Sequence, residues 1–124
     1  MENLFVLTGK IVHGKGLGRT VGMPTANVEV CQPQLPKPGV YATWIVIDNQ
    51  RYPSVTNIGT RPTVDAESYE TVEACILDFE ADIYGQEVML EGIRFLRPIQ
   101  KFESLQEVQE QVQKDIAEAK TYFK

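Results

Sequence analysis

The segment GVYATWIVIDNQ, residues 39–50, decides how this chain folds. Residues 39–47 are rich in valine, isoleucine, threonine and aromatic side chains, which pack well on the pleated surface of a β-sheet. The tripeptide Asp-Asn-Gln at 48–50 then forms a turn signal, because aspartate and asparagine favour tight turns. A second β-type run follows at once, so the pattern predicts a hairpin of Gly39–Ile47 with Arg51–Ile58.

Four more short β-type segments lie outside this hairpin, and prolines punctuate many of the segment ends. They are Leu4–Val12, Ala26–Val30, Glu70–Phe79 and Glu87–Leu96. The last two form a pair around Ile83-Tyr84-Gly85. Six short strands with no helix between them predict a mainly β protein, built as an antiparallel barrel that removes exposed sheet edges by closing.

The C-terminal segment predicts a single α-helix. Ser104-Leu105-Gln106-Glu107 is a capping box, in which the serine hydroxyl and the glutamate carboxylate satisfy free backbone N–H groups. Apolar residues then recur at helical spacing, with glutamine, glutamate and lysine between them. These apolar residues are Leu105, Val108, Val112, Ile116, Ala119 and Phe123. We expect the helix to pack this stripe on the barrel.

Length, composition and charge restrict the class of protein. With 124 residues, 43% of them hydrophobic, the sequence predicts one soluble domain over residues 1–124. The net charge of −5 argues against broad nucleic-acid binding, which needs clustered lysine and arginine. No apolar run is long enough to span a bilayer, and the first residues do not resemble a signal peptide. We therefore expect a cytoplasmic protein without a membrane partner, and a monomer by default.

Cysteine and histidine are scarce, which narrows the possible chemistry. Cys31 and Cys75 lie far apart and are expected to be reduced, partly buried thiols. His13 is the sole histidine, so no Cys/His cluster has zinc spacing. A single histidine also disfavours a Ser-His-Asp triad, because none of the three serines lies in a nucleophile-elbow context.

A glycine-rich segment over residues 14–22 suggests phosphate binding. Its glycines leave the backbone bare, so that N–H groups can approach phosphate oxygens, and two basic side chains lie among them. The candidate nucleotide-binding residues are Gly14, Lys15, Gly16, Gly18, Arg19, Thr20 and Gly22. The spacing matches neither a Walker loop nor a dinucleotide fingerprint. The alternative is a flexible hairpin tip.

The glycine-rich segment leads through a proline into Thr25 and Asn27. These two residues alternate, so an extended backbone places both side chains on one face. A hydroxyl and an amide oxygen are hard ligands of the type that Mg²⁺ prefers, and Mg²⁺ accompanies nucleotide phosphates. Thr25 and Asn27 are therefore the candidate Mg²⁺-ATP residues, and an ordinary turn is the alternative.

Taken together, the motifs resemble the riboflavin kinase family along nearly the whole chain. Any one of them alone is weak, whereas the full set in order is specific. They are Gly9-Lys10-Ile11-Val12-His13-Gly14, the glycine-rich segment, Pro24-Thr25-Ala26-Asn27, Pro38-Gly39-Val40-Tyr41, Asn57-Ile58-Gly59-Thr60-Arg61-Pro62-Thr63, Val72-Glu73, Leu77-Asp78-Phe79, Tyr84-Gly85, Leu96-Arg97-Pro98 and Lys101-Phe102-Glu103-Ser104-Leu105.

The resemblance implies a Greek-key barrel that transfers the γ-phosphoryl group of ATP to riboflavin with Mg²⁺, giving FMN and ADP. It extends to the kinase module of bacterial bifunctional riboflavin kinase/FAD synthetases. These residues hold no counterpart of the adenylyltransferase domain, so FAD synthesis is not expected of them. Cys75 stands where the family often has histidine, which puts a role for that histidine in doubt here.

The resemblance also implies residue roles. Glu73 matches the glutamate that takes the proton from the terminal ribityl hydroxyl, and Thr25 and Asn27 match the residues that hold the metal and phosphates. Arg97 matches an arginine near the flavin and the transferred phosphate. From the residues alone, Glu73 could be an ordinary outward-facing strand residue. Arg97 could equally form an ion pair with a carboxylate.

A set of apolar residues is the candidate slot for the flavin ring, with plain core as the alternative. The set is Leu90, Ile93, Phe95, Phe102 and Leu105. Trp44 is interpreted as core only, and Arg61 as bracing a turn. The competing functions are a catalytically inactive flavin- or nucleotide-binding regulatory module and a plain interaction barrel, although the latter would not need the glycine-rich segment.

Overall fold

The fold was analysed on a computed structural model that describes residues 3–12, 25–32, 34–62, 68–77 and 83–123. Within these described ranges, six β-strands precede one α-helix, in the predicted order. They are β1 (Phe5–Val12), β2 (Ala26–Val30), β3 (Gly39–Ile47), β4 (Gln50–Pro62), β5 (Ser68–Ile76), β6 (Glu87–Arg97) and α1 (Leu105–Lys120). The predicted limits of β2 and β3 are confirmed. β4 is longer than predicted at both ends, whereas β5 begins and ends earlier.

The six strands form a closed antiparallel barrel, which confirms the predicted fold class. Their order around the barrel is β1-β2-β5-β4-β3-β6. β5 follows β4 in the chain and pairs with it, but its other edge pairs with β2. The predicted pairing of β5 with β6 is wrong, because β6 pairs with β1 and β3 instead. This non-sequential pairing brings residues from distant parts of the sequence onto adjacent strands.

The hairpin of β3 and β4 has a two-residue turn. Asp48 and Asn49 both have positive φ, at 53° and 66°. Two consecutive positive φ values match the right-handed twist of the flanking strands, and aspartate and asparagine tolerate them. Gln50 already pairs with Ile47, so it belongs to the strand rather than to the turn.

The barrel interior holds the main core. Every strand contributes inward-facing residues, among them the fully enclosed Ile45, Ile58 and Leu90. The interior also encloses three hydroxyl side chains. Thr43 Oγ1 lies 2.6 Å from Ser54 Oγ and 2.8 Å from Thr56 Oγ1, so these buried groups satisfy one another.

The helix covers part of the outer face of the barrel. A second cluster lies between them and consists of Val40, Ala42, Val55, Leu77, Ile116 and Ala119. The capping box is confirmed at the N-cap, where the Glu107 N–H donates to Ser104 Oγ at 3.2 Å. The Glu107 carboxylate, however, accepts from the backbone N–H of Glu103 at 2.9 Å, one residue before the expected partner.

Two side-chain placements differ from the sequence analysis. Leu105, expected on the packed stripe, is 50% exposed because the first turn of α1 extends past the cluster beneath the helix. Trp44 is partly buried on the outer face rather than in the interior. Its ring meets Phe123 edge to face at 4.9 Å between centroids and carries Arg51 on its exposed side. In the described part of the chain, no helix has the length and apolarity needed to cross a membrane.

Candidate active site

Three polar residues lie side by side on three adjacent strands. Asn27 on β2 is directly opposite Glu73 on β5, and Glu73 is directly opposite Asn57 on β4. Side chains of directly opposed residues lie on the same face of a sheet, with Cβ atoms about 5 Å apart. The barrel thus presents a continuous polar row, Asn27–Glu73–Asn57, which we call the amide–carboxylate row.

Strand alternation places this row on the outer face. Val28 follows Asn27 and is 7% exposed in the interior, while Val72 and Ala74 on either side of Glu73 are 4% and 0% exposed there. Because successive side chains point to opposite faces, Asn27 and Glu73 face outward. Glu73 and Asn27 are partly buried, which gives the carboxylate a sheltered but accessible position.

A bare patch of backbone adjoins the row at Gly59. This glycine lies two residues beyond Asn57 and therefore on the same outer face, directly opposite Thr71. A Cβ atom placed on Gly59 would have Ile99 Cδ1 and Thr71 Oγ1 at 3.8 Å and Asn57 Oδ1 at 3.9 Å as its nearest neighbours. A methyl group at this position would therefore make ordinary van der Waals contacts with one apolar and two polar atoms.

Thr25 directly precedes β2 and is partly buried. Its hydroxyl, the Asn27 amide oxygen and the neighbouring Glu73 carboxylate are all hard oxygen donors, so their chemistry fits Mg²⁺. Among the described residues, no group of three or more histidine, cysteine, aspartate or glutamate side chains is arranged to hold a metal. A small set of oxygen donors is sufficient when substrate phosphates complete the coordination of Mg²⁺.

Arg97, at the end of β6, is bound to the helix. Its Nε and Nη2 atoms donate to the two carboxylate oxygens of Asp115, each at 2.8 Å. Gln111 also donates to Asp115, at 3.0 Å, and Arg97 Nη1 donates to the carbonyl of Pro98 at 3.2 Å. The ion pair that was the alternative for Arg97 is therefore present, with Asp115 only 6% exposed. The Phe102 ring lies 5.8 Å from the guanidinium carbon.

Directly opposed residues on adjacent strands connect Arg97 to the amide–carboxylate row. Asn57 is directly opposite Val40 on β3, and Val40 is directly opposite Arg97 on β6. Strands lie about 4.8 Å apart, so Arg97 is about 10 Å from Asn57 and about 14 Å from Glu73 along the barrel surface. Glu73 and Arg97 thus lie at the same level of the barrel, on strands three positions apart in the closed order, and do not touch.

The thiol nearest the candidate base is buried. Cys75 follows Glu73 by two residues, pairs with Val55 and is 7% exposed. Burial raises the pKa of the Cys75 thiol, because the low-dielectric surroundings disfavour the thiolate. Cys31 is exposed, and both are free thiols. The expectation that both are reduced agrees with this geometry, although Cys31 is not buried.

Comparison with known proteins identifies the family. A family model described as Flavokinase: Riboflavin kinase matches residues 1–123. The chain belongs to the riboflavin kinase family. The bifunctional riboflavin kinase/FMN adenylyltransferase of Escherichia coli K12 is 39% identical over 120 residues, which cover 96% of this chain and 38% of the relative. This riboflavin kinase domain therefore spans well under half the length of that relative.

Solved structures agree with the family and the fold. The crystal structure of a riboflavin kinase from Trypanosoma brucei superimposes with a TM-score of 0.68 at 26% identity, over 94% of this chain and 75% of that one. A Streptococcus pneumoniae protein described as a macrolide-efflux protein superimposes with a TM-score of 0.85 at 33% identity, over 93% of this chain and 38% of that one. The predicted family and barrel are thereby confirmed.

The apolar residues predicted to line the flavin slot do not form one surface. Leu90 is fully enclosed in the barrel interior, at 0% exposure, so its prediction as a ligand-contacting residue is wrong. Phe95 packs against the same interior core, with its ring edge to face on Tyr41 at 5.2 Å. Leu90 and Phe95 therefore pack with the interior core, which was the alternative interpretation of these residues.

The other three apolar candidates lie outside the interior core. Ile93 packs against the cluster under α1, Phe102 is partly buried beside Arg97, and Leu105 is exposed. Of these, Phe102 is the one beside a predicted site residue. The sequence analysis did not single out Asn57, although its motif was part of the family resemblance; only the strand register shows that it adjoins Glu73.

The predicted phosphate loop falls outside the described residues. This applies to Gly14, Lys15, Gly16, Gly18, Arg19, Thr20 and Gly22. Their assignments remain predictions. Within the described ranges, the structure places Asn27 and Glu73 side by side on adjacent strands, with Thr25 directly before β2. It also places Phe102 beside Arg97.

Proposed function

We propose that this domain is an active riboflavin kinase, which transfers the γ-phosphoryl group of ATP to the terminal ribityl hydroxyl of riboflavin and yields FMN and ADP. The observation that carries the proposal is the register that places Glu73 beside Asn27 on the outer face. In a chain of the riboflavin kinase family, this pairing puts a potential base next to a potential metal ligand.

Glu73 is the proposed general base. Its carboxylate accepts the proton of the terminal ribityl hydroxyl while the hydroxyl oxygen forms a bond to the γ-phosphorus. The bond between that phosphorus and the β–γ bridging oxygen breaks, and ADP leaves with the bonding electron pair. A positioned carboxylate contributes about 10²–10⁴-fold to such a step, because an alcohol is a poor nucleophile.

Thr25 and Asn27 are the proposed ligands of Mg²⁺ and the nucleotide phosphates. Bound Mg²⁺ neutralises the charge on the phosphates as the phosphoryl group is transferred. β2 lies on the side of β5 that faces away from β4, and this supports a nucleotide position on that side of Glu73. The phosphate donor therefore occupies one side of the base, and the backbone N–H groups of residues 14–22 are proposed to cover it.

Arg97 is proposed to keep its contact with α1 while facing the substrate site. Its hydrogen bonds to Asp115 and Pro98 use three N–H groups, and guanidinium has more donors than these. The remaining donors are available to a phosphate or flavin oxygen. The bidentate ion pair fixes the direction of the guanidinium. A guanidinium held in this way can orient a bound phosphate or flavin oxygen.

We further propose that the domain acts as a cytoplasmic monomer on small molecules and without a nucleic-acid partner. The net charge of −5 supports the last point, because phosphate backbones bind clustered cationic surfaces.

The test is to incubate the purified domain with riboflavin, ATP and Mg²⁺ and to separate the flavins by chromatography. FMN with stoichiometric ADP is the expected result. Riboflavin binding without any FMN would instead favour the inactive flavin-binding module. A chain that binds neither riboflavin nor nucleotide would favour the plain interaction barrel.

A further inference from the structure

Asn57 is the described polar residue in the amide–carboxylate row with no role so far. It lies on the outer face of β4, directly opposite Glu73, and is exposed. The next outward residues on the strand are the buried Val55 on one side and Gly59 on the other. Asn57 is thus an exposed amide beside the proposed base and next to the bare patch of backbone at Gly59. This position allows it to contact a ligand.

The two amides of the row lie on opposite sides of Glu73. Asn27 is on β2 and Asn57 on β4, with β5 between them. In phosphoryl transfer, the attacking and leaving oxygens lie roughly in line on either side of the phosphorus atom. If the phosphates occupy the Asn27 side, the acceptor alcohol must approach from the Asn57 side.

The chemistry of that side suits a polyol. An asparagine amide offers both a donor and an acceptor, so it can pair with a hydroxyl in either direction. Adjacent strands are about 4.8 Å apart, a separation that a pentitol chain easily spans. A chain with its terminal hydroxyl at Glu73 therefore carries an inner hydroxyl over Asn57.

The surface beyond Asn57 leaves one side-chain position vacant. Gly59 lacks a side chain, and the nearest atoms to its vacant Cβ position are 3.8–3.9 Å away. Two of these atoms are the oxygens of Thr71 and Asn57, and the third is the terminal methyl of Ile99, which is 46% exposed. The bare patch at Gly59 is thus bordered by polar atoms toward Glu73 and by an apolar atom toward the segment that connects β6 to α1.

We propose that Asn57 binds an inner hydroxyl of the ribityl chain and so selects flavins that carry this chain, with Gly59 leaving the space in which the chain lies. This inference rests on the proposed riboflavin kinase activity. It assigns the acceptor side of the site to β4, where Asn57 lies directly opposite Glu73.

The experiment compares riboflavin with lumiflavin, which has the same ring system but a methyl group in place of the ribityl chain. Dissociation constants are measured from flavin fluorescence for the wild type and Asn57→Ala. Asn3→Ala is the matched control, because Asn3 is an exposed asparagine whose hydrogen bond is to Glu91, away from the row.

Asn57→Ala is expected to weaken riboflavin binding about five- to tenfold and to leave lumiflavin binding unchanged, since one hydroxyl contact is lost. The KM for MgATP should stay at the wild-type value. Gly59→Ala, whose Cβ meets only ordinary van der Waals contacts, is expected to keep the wild-type Tm and also to weaken riboflavin binding selectively. Equal losses for both flavins, or no loss for riboflavin, would overturn the proposal.

The two proposals fail in different ways. If the wild type binds riboflavin but forms no FMN, the proposed kinase activity is contradicted. The comparison of dissociation constants still decides the role of Asn57. If the wild type forms FMN and Asn57→Ala binds riboflavin with wild-type affinity, the role of Asn57 is contradicted and the proposed kinase activity stands. A wild type that binds no riboflavin overturns both.

Discussion

Asp115, on the helix, accepts two parallel hydrogen bonds from Arg97 at the end of β6, each 2.8 Å long. Bidentate pairing of this kind is among the stronger polar contacts in proteins. Both side chains are largely buried, with 17% and 6% exposure for Arg97 and Asp115. The pair therefore fixes how the helix sits on the barrel and, at the same time, where the guanidinium points.

Asp115→Ala is expected to lower the free energy of unfolding by about 3 kcal/mol, because it leaves a largely buried guanidinium without its partner. Urea denaturation measures the change. The control is Arg51→Ala, which removes an ion pair with Glu91 at 3.1 Å whose arginine is 55% exposed. That variant should lose about 1 kcal/mol or less. Equal losses in the two variants would show that burial does not strengthen the Arg97–Asp115 pair.

Glu73→Gln is expected to lower kcat by at least about 100-fold, because the amide cannot accept the proton of the attacking hydroxyl. Its similar size should leave the dissociation constants of riboflavin and MgATP within about twofold of the wild type. Steady-state kinetics and fluorescence titration give both quantities. Glu29→Gln is the control, since Glu29 is an exposed glutamate on the same outer face, two residues from Asn27. A kcat near that of the wild type for Glu73→Gln would remove Glu73 from the chemical step.

Asn27→Ala is expected to raise the Mg²⁺ concentration for half-maximal activity and the KM for ATP by about tenfold or more, because an oxygen donor to a charged ligand is lost. Thr25→Ala should act in the same direction. Titrations of Mg²⁺ and ATP at saturating riboflavin provide the measurement. Asn57→Ala, on the other side of Glu73, serves as the control and should leave both values unchanged. An Asn27→Ala variant whose only defect is in riboflavin binding would reverse the assignment of the two sides.

Local patterns in the sequence predict most of the fold. The β-type composition of residues 39–47 and the turn signal at Asp48-Asn49 were sufficient for the β3–β4 hairpin, because residue preference for strands and turn chemistry are both local. The Ser104 cap likewise depends on residues within one helical turn. The register between Asn27 and Glu73 joins segments far apart in the sequence, and so no local pattern could predict it.

The flavin-slot residues show a second limit of sequence patterns. Leu90 and Phe95 are five positions apart, and strict alternation would place them on opposite faces, yet both pack in the interior. Register shifts in the β3–β6 pairing, between Val40 and Tyr41 and between Ala42 and Thr43, change the alternation along β6. A bulge inserts an extra residue and redirects the side chains that follow it, without an evident signal in the sequence.

Gly92→Ala is expected to destabilise the barrel by about 1–3 kcal/mol, because its new methyl group would collide with the ring of Phe5. Phe5 packs on the interior core and meets Tyr41 edge to face at 5.0 Å between centroids, so its movement disturbs a packed cluster. Thermal and urea denaturation give the loss. Gly59→Ala is the control, since its nearest neighbours are 3.8 Å away, and it should change stability by about 0.5 kcal/mol or less. In the double variant Gly92→Ala/Phe5→Leu the losses should not add, and full additivity would contradict the collision.

Cys75 is expected to make stability fall at alkaline pH. Its pKa is raised by burial, so the unfolded chain ionises the thiol first, from about pH 8.5 upward, while the native state keeps the proton. The stability from the protonated thiol is complete below that pH and is lost as pH rises through the higher pKa of the folded state. Urea unfolding at pH 7 and pH 9.5 should therefore show a larger loss for the wild type than for Cys75→Ala.

Thiol labelling gives an independent measure of the same burial. Cys31 is exposed and should react with Ellman's reagent at the rate of a free thiol, whereas Cys75 should react only as the barrel opens. Cys31→Ser isolates the slow phase, and Cys75→Ala should abolish it without changing the fast one. Equal rates for the two thiols at neutral pH would contradict both the burial of Cys75 and the predicted loss of stability at alkaline pH.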